Sequence, residues 1–466
     1  MLFNSLNFLI FFPSVCFIYF LIPTIKGRNI FLLISSYYFY MNWEPTYAAV
    51  LFFSSLITYA IGKIISRISQ NSETKKRKKL LCLGIVLNLG VLIFFKYFNF
   101  LGKIITYSLG VIHIEMTMPQ IPYLLPVGIS FFLFQEIGYM IDVFKQKVAP
   151  VSNFFDYALF VSFFPQLVAG PIERTSNLIP QFKIKHSIEY ERMVKGIYWM
   201  LWGYFLKLVL ADNCAVYVDA IFNNLDKHIG SSYFLAAFFF TFQVYGDLGG
   251  YSLIAIGAAK IMGFNLMENF RRPYFASSIS EYWRRWHISL STWLRDYIYF
   301  PLGGNRKGQK RKYLNLMTTF AISGLWHGAD FTYILWGLYH GSLVVTEAHF
   351  RKKRPLKYPL IGILITFILV VISRFIYRAE SMSQLLLIGQ RMDTMFTVPY
   401  WFPSFTILPF IILIVMLKDY LDERYSWSEV LVTKSSWISL SIMTSLFFLI
   451  LILGNLSGNS FIYFQF

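Results

Sequence analysis

Long, continuous apolar runs separated by short polar ones set the character of this chain. Residues 8–20, 80–95, 361–372 and 438–453 are predominantly apolar and uncharged and approach the roughly 20 residues an α-helix needs to cross a hydrocarbon core of about 30 Å. Strands of a membrane barrel would instead alternate over about ten residues. The pattern therefore predicts an all-α polytopic membrane protein. Its basic residues mark the topology. Three loops hold half of the lysines and arginines: 63–79, with Lys75-Lys76-Arg77-Lys78-Lys79; 271–312; and Arg351-Lys352-Lys353-Arg354. The positive-inside tendency places all three in the cytoplasm, which gives about twelve crossings with both chain ends outside. Residues 154–170 then enter the membrane and turn back. The first apolar run has no basic residues before it and no small-x-small site after it, so it is expected to stay as a span. No repeat and no long polar stretch interrupts the chain, so residues 1–466 are expected to form one membrane domain, with its motifs concentrated in about 160–345.

Composition agrees: 56% hydrophobic and 20% aromatic residues over 466 positions exceed what a single water-soluble core can hide. A net charge of +18 would suggest nucleic acid in a soluble protein, but here short loops carry it and membrane topology accounts for it. Cys16, Cys82 and Cys214 sit in or beside apolar runs without a C-x-x-C or Cys/His cluster. Neither a disulfide framework nor a metal site is expected.

Two stretches depart from the simple span pattern. Residues 278–300 read as one amphipathic helix, opening with a capping box at Ser278 and Glu281 and closing at Pro301. Its aromatic residues recur at helical spacing between Arg284, Arg285, Arg295 and Asp296, which suits either the lining of a polar cavity or a helix lying at the interface. Residues 313–326 would rise only about 21 Å as a helix starting at the basic loop. His327 should therefore lie within the membrane, bracketed by Gly324 and Gly328, where the backbone can unwind.

An ionisable group at membrane depth is a functional hypothesis by default, and His327 is the best placed of the seven histidines. It could take the proton of an attacking hydroxyl in acyl transfer; on pattern alone, a histidine hydrogen-bonded between helices fits equally well. His287, beside two tryptophans and two arginines, could orient His327 or polarise a donor, or simply sit among interfacial aromatics. His340 follows His327 by 13 residues; on one continuous helix that is roughly 20 Å away on another face, which points to packing. Asp247, in Tyr245-Gly-Asp-Leu-Gly-Gly-Tyr251, is expected to pair with an arginine or hold the fold together between glycines that allow close helix approach. Arg284, Arg285 and Arg295 could attract the phosphates of a nucleotide-bearing donor. No serine elbow or base-activated cysteine suggests a covalent acyl-enzyme.

The motifs resemble those of the membrane-bound O-acyltransferases, in particular their bacterial alginate O-acetylation branch. The resemblance rests on Phe163-Phe-Pro-Gln-Leu-Val-Ala-Gly-Pro-Ile-Glu-Arg174, Glu268-Asn-Phe-Arg-Arg-Pro-Tyr274, and Glu281-Tyr-Trp-Arg-Arg-Trp-His-Ile-Ser-Leu-Ser-Thr-Trp-Leu-Arg-Asp-Tyr297 running into Phe300-Pro-Leu-Gly-Gly-Asn305. Ser323-Gly-Leu-Trp-His-Gly328, Leu335-Trp-Gly-Leu-Tyr-His-Gly341 and Phe461-Ile-Tyr-Phe-Gln-Phe466 complete the set. It implies a ring of helices with re-entrant and interfacial segments around a central tunnel. It also implies His327 as the catalytic histidine, with His287 nearby. A cytoplasmic thioester, acetyl-CoA, would serve as co-substrate rather than bound cofactor. The acyl group would pass to an extracytoplasmic polysaccharide, directly or through an SGNH-type partner, at a bacterial cytoplasmic membrane. One departure is visible: Asp247-Leu-Gly-Gly-Tyr-Ser-Leu253 keeps the first acid of an Asp-Phe-Ser-Gly-Tyr-Ser-Asp-like run and loses the second. Within the same family, D-alanyl transfer to a teichoic-acid-like polymer is the alternative. A transporter without chemistry is the rival from another class, but the internal repeats and broken helix pairs it would show are missing.

Overall fold

The computed structural model describes residues 1–69, 73–121, 125–168, 170–350, 359–428 and 436–455, and every regular element among them is helical. Arg351–Arg354 and the closing Phe461–Phe466, both singled out above, lie outside the described residues. Among the described residues, three helical stretches have the length and apolar content to cross a membrane: Tyr47–Arg67, Thr74–Val111 and Pro359–Arg378. The chain packs as two units.

The first unit is Met1–Ile188 with Met262–Leu266. Its helices are α1 (Leu6–Leu21), α2 (Ile25–Met41), α3 (Tyr47–Arg67), α4 (Thr74–Leu92), α5 (Phe98–Val111), α6 (Ile129–Phe144), α7 (Phe154–Ser162), α8 (Phe164–Leu167) and α9 (Thr175–Gln181). Nearly every residue of α6 is buried. Its Glu136 carboxylate accepts hydrogen bonds from Ser54, Ser55 and Thr58 of α3 at 3.1, 2.9 and 3.4 Å, so the buried acid is met by hydroxyls. Helices α7 and α8, of 9 and 4 residues, are each too short to cross about 30 Å of hydrocarbon.

The second unit is Glu189–Ile261 with Met267–Phe466. It begins with α10 (Tyr190–Tyr204), which continues through a π-helical turn, Phe205–Ala211, into α11 (Asp212–Phe222). Next comes α12 (Gly230–Met262). Here α10 and α12 touch backbone to backbone: a Cβ on Gly250 would fall 2.6 Å from Gly203 O. Small residues at such a crossing are how helices approach closely without a hydrophobic drive. The close approach brings Lys207 Nζ within 2.8 Å of Asp212 Oδ1 and 2.6 Å of Asp247 Oδ1, with all three side chains buried. Asp247 is thus paired with Lys207, which also meets Asp212 at the start of α11. The lysine stands on the π-turn, whose extra residue per turn shifts the direction in which it projects.

The remaining helices are α13 (Ile279–Arg285), α14 (Ile288–Leu294), α15 (Gly308–His327), α16 (Phe331–Phe350), α17 (Pro359–Arg378), α18 (Met382–Gln390), α19 (Leu408–Tyr425) and α20 (Ser436–Leu453). α17 is two-faced. Leu360, Leu364, Ile365, Ile368 and Ile372 are exposed, while Thr366, Val370, Ser373, Arg374 and Tyr377 are buried. This sidedness turns an arginine and a tyrosine inward and leaves an aliphatic stripe for lipid.

Candidate active site

The stretch expected as one amphipathic helix is two. Ser278 caps α13 as anticipated, its Oγ accepting from Glu281 N at 3.2 Å, and Glu281 reaches back to accept from Ser277 N and Oγ at 2.9 and 2.7 Å. The helix then stops at Arg285, and His287 takes a left-handed conformation (φ +43°) before α14 starts. The cause lies upstream. Arg271 N donates to Arg285 O at 2.8 Å and Ile288 N donates to Asn269 O at 2.8 Å. Ser289 Oγ donates to Asn269 Oδ1 at 2.8 Å, and Asn269 Nδ2 donates to Ser252 Oγ at 2.9 Å. The 269–271 strip therefore satisfies backbone groups that a continuous helix would have satisfied internally. It offsets the roughly 1–3 kcal/mol cost of a left-handed non-glycine residue.

This break places His287 in the interior, with its ring centroid 5.9 Å from Phe270 and 5.8 Å from Trp326. Neither flanking helix is long enough to cross a membrane. Burial pushes the His287 imidazole down to about 3, so it is neutral at physiological pH and cannot serve there as a cationic group.

His327 ends α15 and is buried. The chain reverses over 328–330, and Asp330 Oδ1 accepts from Thr332 N at 3.1 Å to open α16. The two helices form a tight hairpin: a Cβ on Gly324 would run into Tyr333 O, and one on Gly337 into Phe320 O. The unwinding anticipated beside Gly328 is this reversal. His327 packs against Trp326 at 5.0 Å, Trp336 at 4.9 Å and Tyr377 at 5.6 Å, and Tyr377 Oη lies 3.4 Å from its Nδ1. His287 and His327 thus flank one indole, that of Trp326.

The hairpin also corrects the reading of His340. Because α16 folds back on α15 rather than extending it, the His340 ring stands 4.8 Å from Trp336, the same ring that His327 contacts. His340 also meets Trp283 at 5.1 Å. Its separation from the site held only for a continuous helix. Tyr377, Trp336 and Arg374 were not singled out from the sequence. For Arg374 a signal existed, an ionisable residue just beyond an apolar run, but next to a span end it reads as a loop charge.

A cavity of about 810 Å³ opens beside this cluster. Arg284, Arg285 and Arg295 line it together with Arg271 and Arg272, against Glu281, Asp422 and Glu423. Arg285 is committed to Glu281 and Glu423 at 2.7 and 2.8 Å, and Arg295 to Asp296 at 2.8 Å. Arg284 is solvent-exposed and has no ion pair among the described residues. Burial alone would raise the Glu281 carboxyl, but Ser277 and Arg285 more than offset it and hold it below the usual carboxylate range. The cavity follows α15 from Leu316 through Thr319 to Ser323 and touches Trp283. Ser323 is four residues, one helical turn, before His327.

A model of the membrane-bound O-acyltransferase family matches residues 37–377, which include His287, His327, His340, Arg374 and Tyr377. The chain is 40% identical over 389 residues to the protein named probable alginate O-acetylase AlgI of Pseudomonas putida, covering 82% of this chain and 78% of that one. It is 34% identical over 424 residues to the peptidoglycan O-acetyltransferase of Helicobacter pylori, covering 83% and 78%. A teichoic acid D-alanyltransferase of Bacillus subtilis is 27% identical over 276 residues, 54% of this chain and 69% of its own length. An arginine-lined cavity leading toward a buried histidine at a helix break, in a chain that shares most of its length with O-acetyltransferases, is consistent throughout: this multi-pass membrane protein belongs to the membrane-bound O-acyltransferase family and is an O-acyltransferase.

Proposed function

We propose that the chain transfers acetyl from cytoplasmic acetyl-CoA to a hydroxyl of an extracytoplasmic polysaccharide, with His327 as general base. The observation that carries this reading is the cavity that runs from the arginines to Ser323, one helical turn from His327. Its lining of five arginines and three carboxylates is net positive, which suits the phosphates of a coenzyme thioester. Arg284, unpaired among the described residues, is the best placed to meet them, while Arg285 and Arg295 keep their carboxylates and shape the wall. Trp283 lines the cavity and also contacts Trp336 at 5.8 Å, so one ring separates the donor's space from the histidine cluster.

At the histidine, a bond from Nδ1–H to Tyr377 Oη would leave the proton-accepting lone pair on Nε2, where an acceptor hydroxyl can deliver its proton. Neutral His287 then serves as a packing partner that fixes Trp326, and through it the His327 ring. The wider reading is a bacterial cytoplasmic-membrane protein of about twelve crossings, its helices surrounding a passage for the acyl group. Delivery to the glycan is direct or through an SGNH-type partner outside.

The test is the O-acetyl content of cell-envelope glycans in a deletion strain complemented with wild type, His327→Ala or His287→Ala at matched membrane levels. Restoration by wild type but not by His327→Ala supports the reading; normal acetylation with His327→Ala overturns it. Label transferred only from a D-alanyl carrier, and none from acetyl-CoA, would move the assignment to D-alanyl transfer.

A further inference from the structure

The cluster around His327 holds a charge that base catalysis does not use. Arg374 is 1% exposed on the inward face of α17, a helix able to cross a membrane. Its Nη2 donates to Tyr282 Oη at 3.2 Å, and its guanidinium carbon lies 5.3 Å from the Trp286 ring centroid. Among the described residues, no carboxylate pairs with it; its surroundings are the phenols of Tyr274, Tyr282 and Tyr377. The buried Nε of Arg374 has no hydrogen-bond partner, nor has the buried Nε1 of Trp336. Trp336 meets His327 at 4.9 Å and Tyr377 at 5.3 Å. Tyr377 is one turn after Arg374 on the same face of α17.

A guanidinium cannot shed its proton, and a cation at membrane depth is costly. Elsewhere in this unit the corresponding cost at Lys207 is met by two carboxylates. Arg374 has only neutral dipoles and ring faces. Among the described residues Arg374 therefore has no counter-charge, and two buried N–H donors there have no acceptor.

We propose that Arg374 and the Trp336 indole N–H receive the acyl carbonyl oxygen as it becomes an oxyanion. This rests on the acyl-transfer reading above. The acceptor oxygen attacks the thioester carbon, the C=O π pair moves onto oxygen, and the hydroxyl proton goes to His327. The oxyanion is then held by the guanidinium and the indole. Collapse re-forms C=O and breaks the C–S bond, and the thiolate leaves with the proton from His327. The cation is matched to a charge that exists only during reaction, which is the arrangement that raises kcat rather than lowering KM.

The experiment measures steady-state transfer by purified protein, with acetyl-CoA as donor and glycan from the deletion strain as acceptor. It compares Arg374→Gln, Arg374→Lys and Trp336→Phe. Arg374→Gln is expected to lower kcat by about 10²–10³ with KM for acetyl-CoA held within roughly twofold. Arg374→Lys should recover part of the loss, and Trp336→Phe, which keeps an aromatic ring but no N–H, should lower kcat. Wild-type kcat in Arg374→Gln overturns the proposal. So does a raised KM for glycan at constant kcat, which would make Arg374 a ground-state site for an anionic acceptor. If Arg374→Gln fails to accumulate, Trp336→Phe decides, and an unchanged kcat there overturns the proposal. A wild type that moves no acetyl from acetyl-CoA would remove the underlying acetyl-transfer reading, and this proposal with it.

Discussion

Tyr377→Phe separates the orientation of His327 from its chemistry. The substitution removes one oxygen and keeps the ring, together with its contacts to His327 at 5.6 Å and Trp336 at 5.3 Å. What disappears is the hydroxyl, and with it the hydrogen bond of 3.4 Å to His327 Nδ1, long for its kind. A neutral hydrogen bond contributes about 0.5–1.5 kcal/mol net, which corresponds to roughly 2- to 13-fold in rate if it acts wholly on the transition state. Loss of the proposed base, in His327→Ala, is expected to remove about 10²–10⁴. The two variants should therefore differ by about 8-fold at the closest and by several orders of magnitude at the widest. Initial rates with acetyl-CoA, taken between about pH 5.5 and 8.5, provide the assay. The expectation for Tyr377→Phe is a modest fall in kcat, an unchanged KM and a shifted acidic limb. Activity as low as in His327→Ala would show that the phenol takes part in the proton transfer; a rate indistinguishable from wild type would refute any orienting role.

Two further predictions concern stability. Lys207→Met strands Asp212 and Asp247 in the interior; removing one partner of a buried ionic cluster costs about 3–5 kcal/mol, or roughly 6–20 °C in thermal midpoint for a unit of this size. Size-exclusion after heating in detergent reads the loss, and Lys207→Met combined with Asp247→Asn should be milder than Lys207→Met alone. The second follows from His287, whose folded value near 3 lies below the usual 6.5. The native state resists protonation, so stability is full above pH 6.5 and falls as pH drops toward 3. Over the first unit below 6.5 the fall approaches about 1 kcal/mol. His287→Gln should flatten that part of the stability profile, and an identical slope in the variant would contradict the burial argument.

The helical character, His327 at a backbone break and Arg284, Arg285 and Arg295 beside one another were all legible in the sequence, because each depends on local pattern. What escaped it depends on distant partners. The split at His287 is imposed by Asn269 and Arg271, and no periodicity in 278–300 carries information about that strip. The distance of His340 follows from counting along one continuous helix, and the three-residue reversal after His327 brings its ring to the same Trp336 that His327 contacts, where it packs. Asp247 was recognised as a buried charge, yet the pattern could not supply its partner, since Lys207 projects inward only because of the π-turn. Arg374 was hidden by its position near a span end, where a charge is ordinarily a topology signal.

The α15–α16 hairpin also bears on how the chain reaches the bilayer. α15 begins beside Lys310, Arg311 and Lys312 and is not among the described helices apolar enough to cross alone. Its contacts at Gly324 and Gly337 presuppose α16. α16 is not among those helices either, so the two are placed as a pair, and the surroundings of His327 form only once both have been translated. Assembly of the active centre is then a late event of biogenesis, and a ribosome stalled ahead of Phe331 would leave a protein that is anchored but not yet an enzyme.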